Sequence, residues 1–137
     1  IQKGCAEVLA EGTEVALFAI GSMVETAWQV RKKLAEKGIP TTVVNARFAM
    51  PLDKNCLRKL AESHPLLVTM EENVASGGFG EHVAAFLEEE ALHTKVLRIA
   101  IPDCFVEHGS VGELKKALGL DADSVTEKIL AELPEEL

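Results

Sequence analysis

The sequence contains few aromatic and few basic residues, and both shortages exclude classes of function. Of its 137 residues, five are Phe, one is Trp and none is Tyr, so a surface on which nucleic-acid bases stack is not expected. Fourteen Lys and Arg stand against 22 Asp and Glu, which gives a net charge of −8. That balance disfavours nucleic acids and anionic membranes as partners, because both require basic patches. No apolar run approaches the roughly 20 residues of a membrane-spanning helix.

Cysteine is also scarce. Cys5, Cys56 and Cys104 are far apart in sequence, and no two of them have the spacing of a metal site or a redox motif. An odd number of cysteines, without a signal-peptide pattern, indicates a reduced, cytoplasmic compartment in which each packs as a small apolar residue. The length favours one domain, residues 1–137. Because the chain begins Ile-Gln-Lys-Gly without an initiator Met, we interpret it as a fragment of a longer, three-domain chain.

Apolar patterning predicts strands that alternate with helices. The predicted strands are 5–10, 14–20, 41–46, 66–70 and 95–101. The pattern favours an α/β fold with three layers: a mainly parallel sheet of about five strands, one of them an antiparallel edge strand, with helices on both faces. Because Glu11-Gly12-Thr13 suits a tight turn, the first two strands are predicted to form a hairpin whose first strand lies at the edge.

Several residues mark where helices begin and end. Ser22 and Glu25 have the spacing of a capping box, and Asp53 is a natural N-cap residue. Pro65 is predicted to end the helix that follows Asp53. A second capping box is predicted at Ser110 and Glu113.

In an open α/β sheet, ligands bind beyond the carboxyl ends of the strands. These ends carry Gly21-Ser22, Arg47, Glu71-Glu72-Asn73, and Asp103 with His108. Adjacent Glu71 and Glu72 point to opposite faces of an extended strand and therefore cannot form an acid–base pair. We predict instead that one of them pairs with Arg47 across neighbouring strand ends.

The glycine-rich turn 76–80 joins a strand to a helix whose free amides could hold an anion. It lacks the Lys-Ser/Thr of a P-loop and the dinucleotide-binding spacing, and nearby glutamates would repel phosphate. A tight turn is the favoured interpretation. His64 and His93 are predicted to be solvated, and no nucleophile elbow or metal-ligand spacing is present. The residues alone therefore predict no self-sufficient catalytic set.

Three segments carry a family resemblance: Asn45-Ala46-Arg47-Phe48-Ala49-Met50-Pro51-Leu52-Asp53, Glu71-Glu72-Asn73-Val74-Ala75-Ser76-Gly77-Gly78-Phe79-Gly80 and Ile101-Pro102-Asp103-Cys104-Phe105-Val106-Glu107-His108-Gly109. Together they resemble the C-terminal domain of the 1-deoxy-D-xylulose-5-phosphate synthases, which belong to the transketolase superfamily. The resemblance extends from the first strand to Leu120.

The resemblance implies a three-domain homodimer that condenses pyruvate with glyceraldehyde 3-phosphate. It places thiamine diphosphate, Mg²⁺ and the catalytic groups in the first two domains, so no catalytic, cofactor-binding or metal-binding residue is expected here. This chain would then pack on the N-terminal and middle domains and support the dimer. Two alternatives remain: a small regulatory anion-binding module, or the C-terminal domain of another transketolase-like enzyme.

The loops at the strand carboxyl ends are the candidate partner surface, because they combine apolar side chains with a polar rim. We expect Met50 and Phe105 to be partly exposed there. The candidate interface or anion-site residues are Arg47, Phe48, Met50, Glu71, Glu72, Asn73, Gly77, Gly78, Asp103, Phe105 and His108.

Overall fold

The computed structural model describes residues 5–48, 51–74, 78–101 and 118–134. Five strands and four helices lie in these ranges. The strands are β1 (Glu7–Ala10), β2 (Val15–Ala19), β3 (Thr41–Asn45), β4 (Leu66–Val74) and β5 (Lys95–Ile101). The helices are α1 (Met23–Ala35), α2 (Lys54–Ser63), α3 (Phe79–Glu89) and α4 (Ala122–Glu132). Within these ranges, no helix is long and apolar enough to cross a membrane.

The strands form one sheet in the order β1-β3-β2-β4-β5. β3, β2, β4 and β5 are parallel, and β1 runs antiparallel to β3 at the edge. The predicted fold class, a mainly parallel sheet of five strands with one antiparallel edge strand, is confirmed. β2 is fully buried along its length, as a central strand covered on both faces should be.

The two faces of the sheet carry separate apolar cores. One core packs against α1 and α4 and includes Val15, Leu17 and Met70. The other packs beneath α2 and α3 and includes Phe18 and Phe79, whose rings stack with centroids 5.3 Å apart. Because side chains alternate between faces along a strand, the apolar run in β2 supplies both cores.

The predicted hairpin between the first two strands is wrong. β1 pairs with β3, with Val8 opposite Val44, and its connection to β2 passes the amino end of β3. At this crossing, a Cβ on Gly12 would lie 2.3 Å from the amide nitrogen of Thr41. Gly12 also exchanges hydrogen bonds with Thr42, whose Oγ1 accepts from its amide at 2.8 Å and donates to its carbonyl at 3.0 Å. The glycine is therefore required by a close crossing of two chain segments.

His64 is buried beside this crossing, so the prediction that it is solvated is wrong. Its Nε2 lies 2.8 Å from Thr42 Oγ1 and 3.1 Å from the Gly12 carbonyl oxygen. Its Nδ1 lies 3.0 Å from the carbonyl oxygen of Leu60, in the last turn of α2. The ring thus ties the end of α2 to the crossing. His93, by contrast, is exposed as predicted.

The predicted helix starts have different outcomes. Asp53 caps α2 as expected, since its Oδ1 accepts from the Cys56 amide at 3.0 Å, and α2 ends before Pro65. Ser22 forms no side-chain cap, so the capping box with Glu25 is wrong. The amides of Met23 and Val24 donate instead to the preceding carbonyls of Ile20 and Gly21. The capping box predicted at Ser110 and Glu113 lies outside the described residues.

Candidate functional site

The carboxyl-end edge of the sheet is organised around the buried carboxylate of Glu71. Glu71 lies in β4 and is fully inaccessible to solvent. Its Oε1 accepts from the Phe79 amide at 2.9 Å, and its Oε2 accepts from the Gly80 amide at 2.5 Å. These are the first two amides of α3, and the residue before them, Gly78, has no side chain to cap the helix. A strand residue therefore supplies the cap of α3. Its carboxylate lies at the positive end of the helix dipole, which stabilises a negative charge.

Gly80 allows α3 to approach the sheet at this point. A Cβ on Gly80 would lie 2.8 Å from Thr69 Oγ1, 3.0 Å from Glu71 Oε2 and 3.1 Å from Arg98 Nε. Thr69 faces Arg98 across the β4–β5 pair. Its buried hydroxyl has no hydrogen-bond partner among the described residues. A guanidinium group and a carboxylate thus lie around the same glycine, where their opposite charges attract.

This geometry decides how the glycine-rich turn can be used. An anion at the start of α3 would need free amides there, but the Phe79 and Gly80 amides already donate to Glu71. An incoming phosphate would also meet a buried negative charge. The described part of the turn therefore holds the chain's own carboxylate in the position that an external anion would take.

Arg47 follows β3 in an unusual backbone conformation. Its φ is +64°, a backbone conformation that residues other than glycine seldom adopt. The amide of Phe48, the residue after it, donates to the carbonyl of Ala46, the residue before it, at 2.7 Å. The Arg47 amide donates to Asn45 Oδ1 at 2.9 Å. This is a three-residue turn of the strained γ type.

The ion pair of Arg47 differs from the predicted one. Its Nη2 lies 3.1 Å from Oε1 of Glu7 in β1, whereas Glu71 is bound to α3. The prediction assumed that β3 and β4 are neighbours, but β2 lies between them. Glu72 is exposed, so the two adjacent glutamates do point to opposite sides, as expected.

Part of the predicted surface lies within the described residues. Phe48 follows β3 and Gly78 precedes α3, and both are half-buried. The remaining predicted positions, Met50, Gly77, Asp103, Phe105 and His108, lie outside the described residues, as does the side chain of Asn73. The predicted exposure of Met50 and Phe105 therefore stays a prediction.

A second concave surface lies between β1 and α2. It is an open groove of about 740 Å³ whose lining includes Cys5, Asp53, Cys56, Lys59 and His64. Burial and the neighbouring Asp53 carboxylate raise the pKa of the Cys56 thiol to about 11, against a smaller opposing effect of Lys59. Cys56 is therefore a protonated thiol at neutral pH and a poor nucleophile. No metal-binding cluster is present in the part of the chain that the structure describes.

Fold and site together define a class of domain: an α/β domain with a mixed sheet, in which polar groups at the carboxyl-end edge of the sheet stabilise the fold. Residues 4–125 match the family model for the C-terminal domain of transketolase, and the chain belongs to that family.

Relatives and solved structures agree with this assignment. The chain is 54% identical over 127 residues to the 1-deoxy-D-xylulose-5-phosphate synthase of Lachnoclostridium phytofermentans, and 44% identical over 127 residues to that of Dehalococcoides mccartyi. These matches cover 92% and 91% of the chain, and the chain spans 20% of each relative. A solved split-gene transketolase, described as an inactive β4 tetramer, superimposes with a TM-score of 0.89 at 31% identity, over 96% of this chain and 43% of its own.

Proposed function

We propose that this chain is the C-terminal, non-catalytic domain of a 1-deoxy-D-xylulose-5-phosphate synthase. The observation that supports this proposal most directly is the 54% identity to a synthase over 92% of this chain, which spans 20% of that synthase. The parent enzyme condenses pyruvate with glyceraldehyde 3-phosphate, releases CO₂, and supplies precursors of isoprenoids, thiamine and pyridoxal. It works in the cytoplasm as a homodimer, and thiamine diphosphate and Mg²⁺ bind to its N-terminal and middle domains.

The hydrogen bonds and protonation of the buried polar groups support a structural role. Both oxygens of Glu71 hold the start of α3, and both ring nitrogens of His64 lie within hydrogen-bonding distance of carbonyl oxygens. Burial and Asp53 keep the Cys56 thiol protonated. Glu71 and His64, which could otherwise act as bases, therefore stabilise the fold instead. The protonated Cys56 thiol is a poor nucleophile.

The two alternatives have less support. A regulatory anion module would require the amides at the start of α3, which Glu71 occupies. Another transketolase-like parent is less favoured because identity to the split-gene transketolase is 31%, against 54% for a synthase.

The carboxyl-end edge is the proposed contact with the other domains. Backbone strain of the kind seen at Arg47 persists where surrounding structure enforces it, and it is common at functional surfaces. The same turn carries Phe48, a half-buried aromatic residue, beside a polar side chain. Met50 and Phe105 extend this surface in the proposal, and an interface within one chain commonly buries about 600–1,500 Å².

A domain exchange tests the proposal. This chain replaces the corresponding domain of the L. phytofermentans synthase, and CO₂ release from pyruvate and glyceraldehyde 3-phosphate is measured with thiamine diphosphate and Mg²⁺. We expect the chimera to be dimeric and active, and the 137-residue chain alone to be inactive. A folded but inactive chimera, or turnover by the chain alone, would contradict the proposal.

Two aromatic substitutions in the chimera test the contact surface. Phe48→Glu places a charge in the proposed interface and is expected to lower dimer content and CO₂ release together. Trp28→Glu is the matched control, because Trp28 is an exposed aromatic residue on α1, away from the strand ends. Equal effects of both variants would remove the assignment of this surface.

A further inference from the structure

On one side, the sheet of the described residues ends at β1, whose inner side faces β3. The amide of Ala46, just after β3, donates to a carbonyl of β2. Because backbone groups alternate sides along a strand, the amide and carbonyl of Asn45 face β1 instead. Glu7 lies opposite Asn45 and therefore bonds to β3. The backbone groups of its two neighbours, Ala6 and Val8, must then face outward.

An outer strand edge of this kind is a template on which another extended strand can pair. The side chain of Val8 adds an apolar group to it, since Val8 is 48% exposed. A second copy of β1 is a matching partner, because a two-fold contact sets two identical strands antiparallel. With the two Val8 residues opposite each other, each Glu7 lies opposite Leu9 of the other copy. Like charges therefore do not face each other in such a pair.

The carboxylate of Asp53 occupies part of this edge. Its Oδ2 accepts from the outward-facing amide of Ala6 at 2.8 Å, while its Oδ1 accepts from the Cys56 amide in the first turn of α2 at 3.0 Å. On the other side of Val8, the pairing register of β1 with β3 shifts before Ala10. An added strand would thus find the Ala6 donor already bound, a negative charge beside it, and an irregular strand beyond Val8.

We propose that Asp53 has a second role besides the cap of α2: it closes the outer edge of β1 and so prevents two copies of the chain from pairing β1 with β1. A charged side chain and a bulge are both means by which sheets protect a free edge. Asp53 can serve both purposes because its two oxygens bind different segments, one in α2 and one at the start of β1. This role follows from the sheet order and two hydrogen bonds, and it is independent of the parent enzyme.

Asp53→Ser tests this role in the 137-residue chain. Serine keeps one oxygen that can cap α2, whereas the aspartate has two oxygens for two amides. We expect the Ala6 amide to exchange with solvent deuterium faster than in the wild type, measured by NMR in dilute protein, while the Cys56 amide keeps its protection. In sedimentation velocity at rising protein concentration, the mean mass should increase toward double the wild-type value, because a two-fold contact closes at two copies.

Two further variants identify the surface. Asp121→Ser removes the same charge at the N-cap of α4, which packs against α1 and β5, and should keep the wild-type mass. Val8→Lys combined with Asp53→Ser should return the mass to the wild-type value, because a lysine on an edge strand opposes pairing.

Three results would each overturn the proposal. The first is a wild-type mass in Asp53→Ser although the Ala6 amide exchanges faster, and the second is an unchanged exchange rate of that amide. The third is association that persists with Val8→Lys or that occurs equally in Asp121→Ser. No synthase activity is measured, so a negative result here leaves the proposed function standing.

Discussion

Glu71→Ala is the substitution that most directly tests the cap of α3. It removes the carboxylate that accepts from the amides of Phe79 and Gly80, and leaves both amides buried without an acceptor. A buried donor without a partner costs about 1–3 kcal/mol, so the free energy of unfolding should fall by about 3–5 kcal/mol. In urea, with a slope of about 2 kcal/mol per M, the unfolding midpoint should fall by about 2 M.

The matched control and a chemical rescue separate this mechanism from a general loss of packing. Glu72→Ala, at the exposed neighbouring position, should cost less than about 1 kcal/mol. Acetate should restore part of the lost stability in Glu71→Ala but not in the wild type, because a small carboxylate can bind the vacated amides and thereby favours the folded state. Chloride at equal ionic strength is the salt control.

A loss of less than about 1 kcal/mol in Glu71→Ala, with an unchanged urea slope, would refute the reasoning. Such a result would mean that water or another group satisfies the two amides at little cost. A full loss without any acetate rescue would show that the vacated space collapses, and would leave the value of the carboxylate itself intact.

Three further predictions address the other features of the fold. Gly12→Ala should lower the free energy of unfolding by more than about 2 kcal/mol in the same urea assay, because its Cβ would overlap the backbone of Thr41; wild-type stability would contradict this. Arg47→Gly should be about 1 kcal/mol more stable than Arg47→Ala, since both lose the Glu7 pair and only glycine relieves the positive φ. In Cys5→Ser, alkylation of Cys56 by iodoacetamide, followed by mass spectrometry, should still accelerate above pH 9, because its pKa is raised to about 11; a plateau near pH 9 would contradict that environment.

The sequence allowed the main elements and the fold class to be predicted because their signals are local. Five apolar runs indicated the five strands, and Asp53 and Pro65 marked the ends of α2. Phe79 and Val83 stand at helical spacing in the sequence, and both are buried in the structure. The family resemblance likewise rested on three short segments, and the family match over residues 4–125 confirms it.

The errors concern pairing between segments that are distant in sequence. The turn Glu11-Gly12-Thr13 suits a hairpin, and the sequence carries no sign that β3 would lie between its two strands. For the same reason, the predicted partner of Arg47 on β4 is wrong, and the observed partner, Glu7, lies on β1. Local periodicity reports which face of an element is buried, but strand order is decided by the packing of the whole chain.

The sequence by itself therefore determined the alternation of strands and helices, the buried faces and the family of this protein. Only the tertiary structure decided what the polar residues do. Glu71 caps a helix because the amides at the start of α3 lie within hydrogen-bonding distance of its carboxylate on β4. His64 is a buried link because the crossing at Gly12 passes it. A Glu or a His is the same residue in the sequence whether its side chain stabilises the fold or acts in catalysis. Its role depends on which distant donors and acceptors the fold brings within about 3 Å.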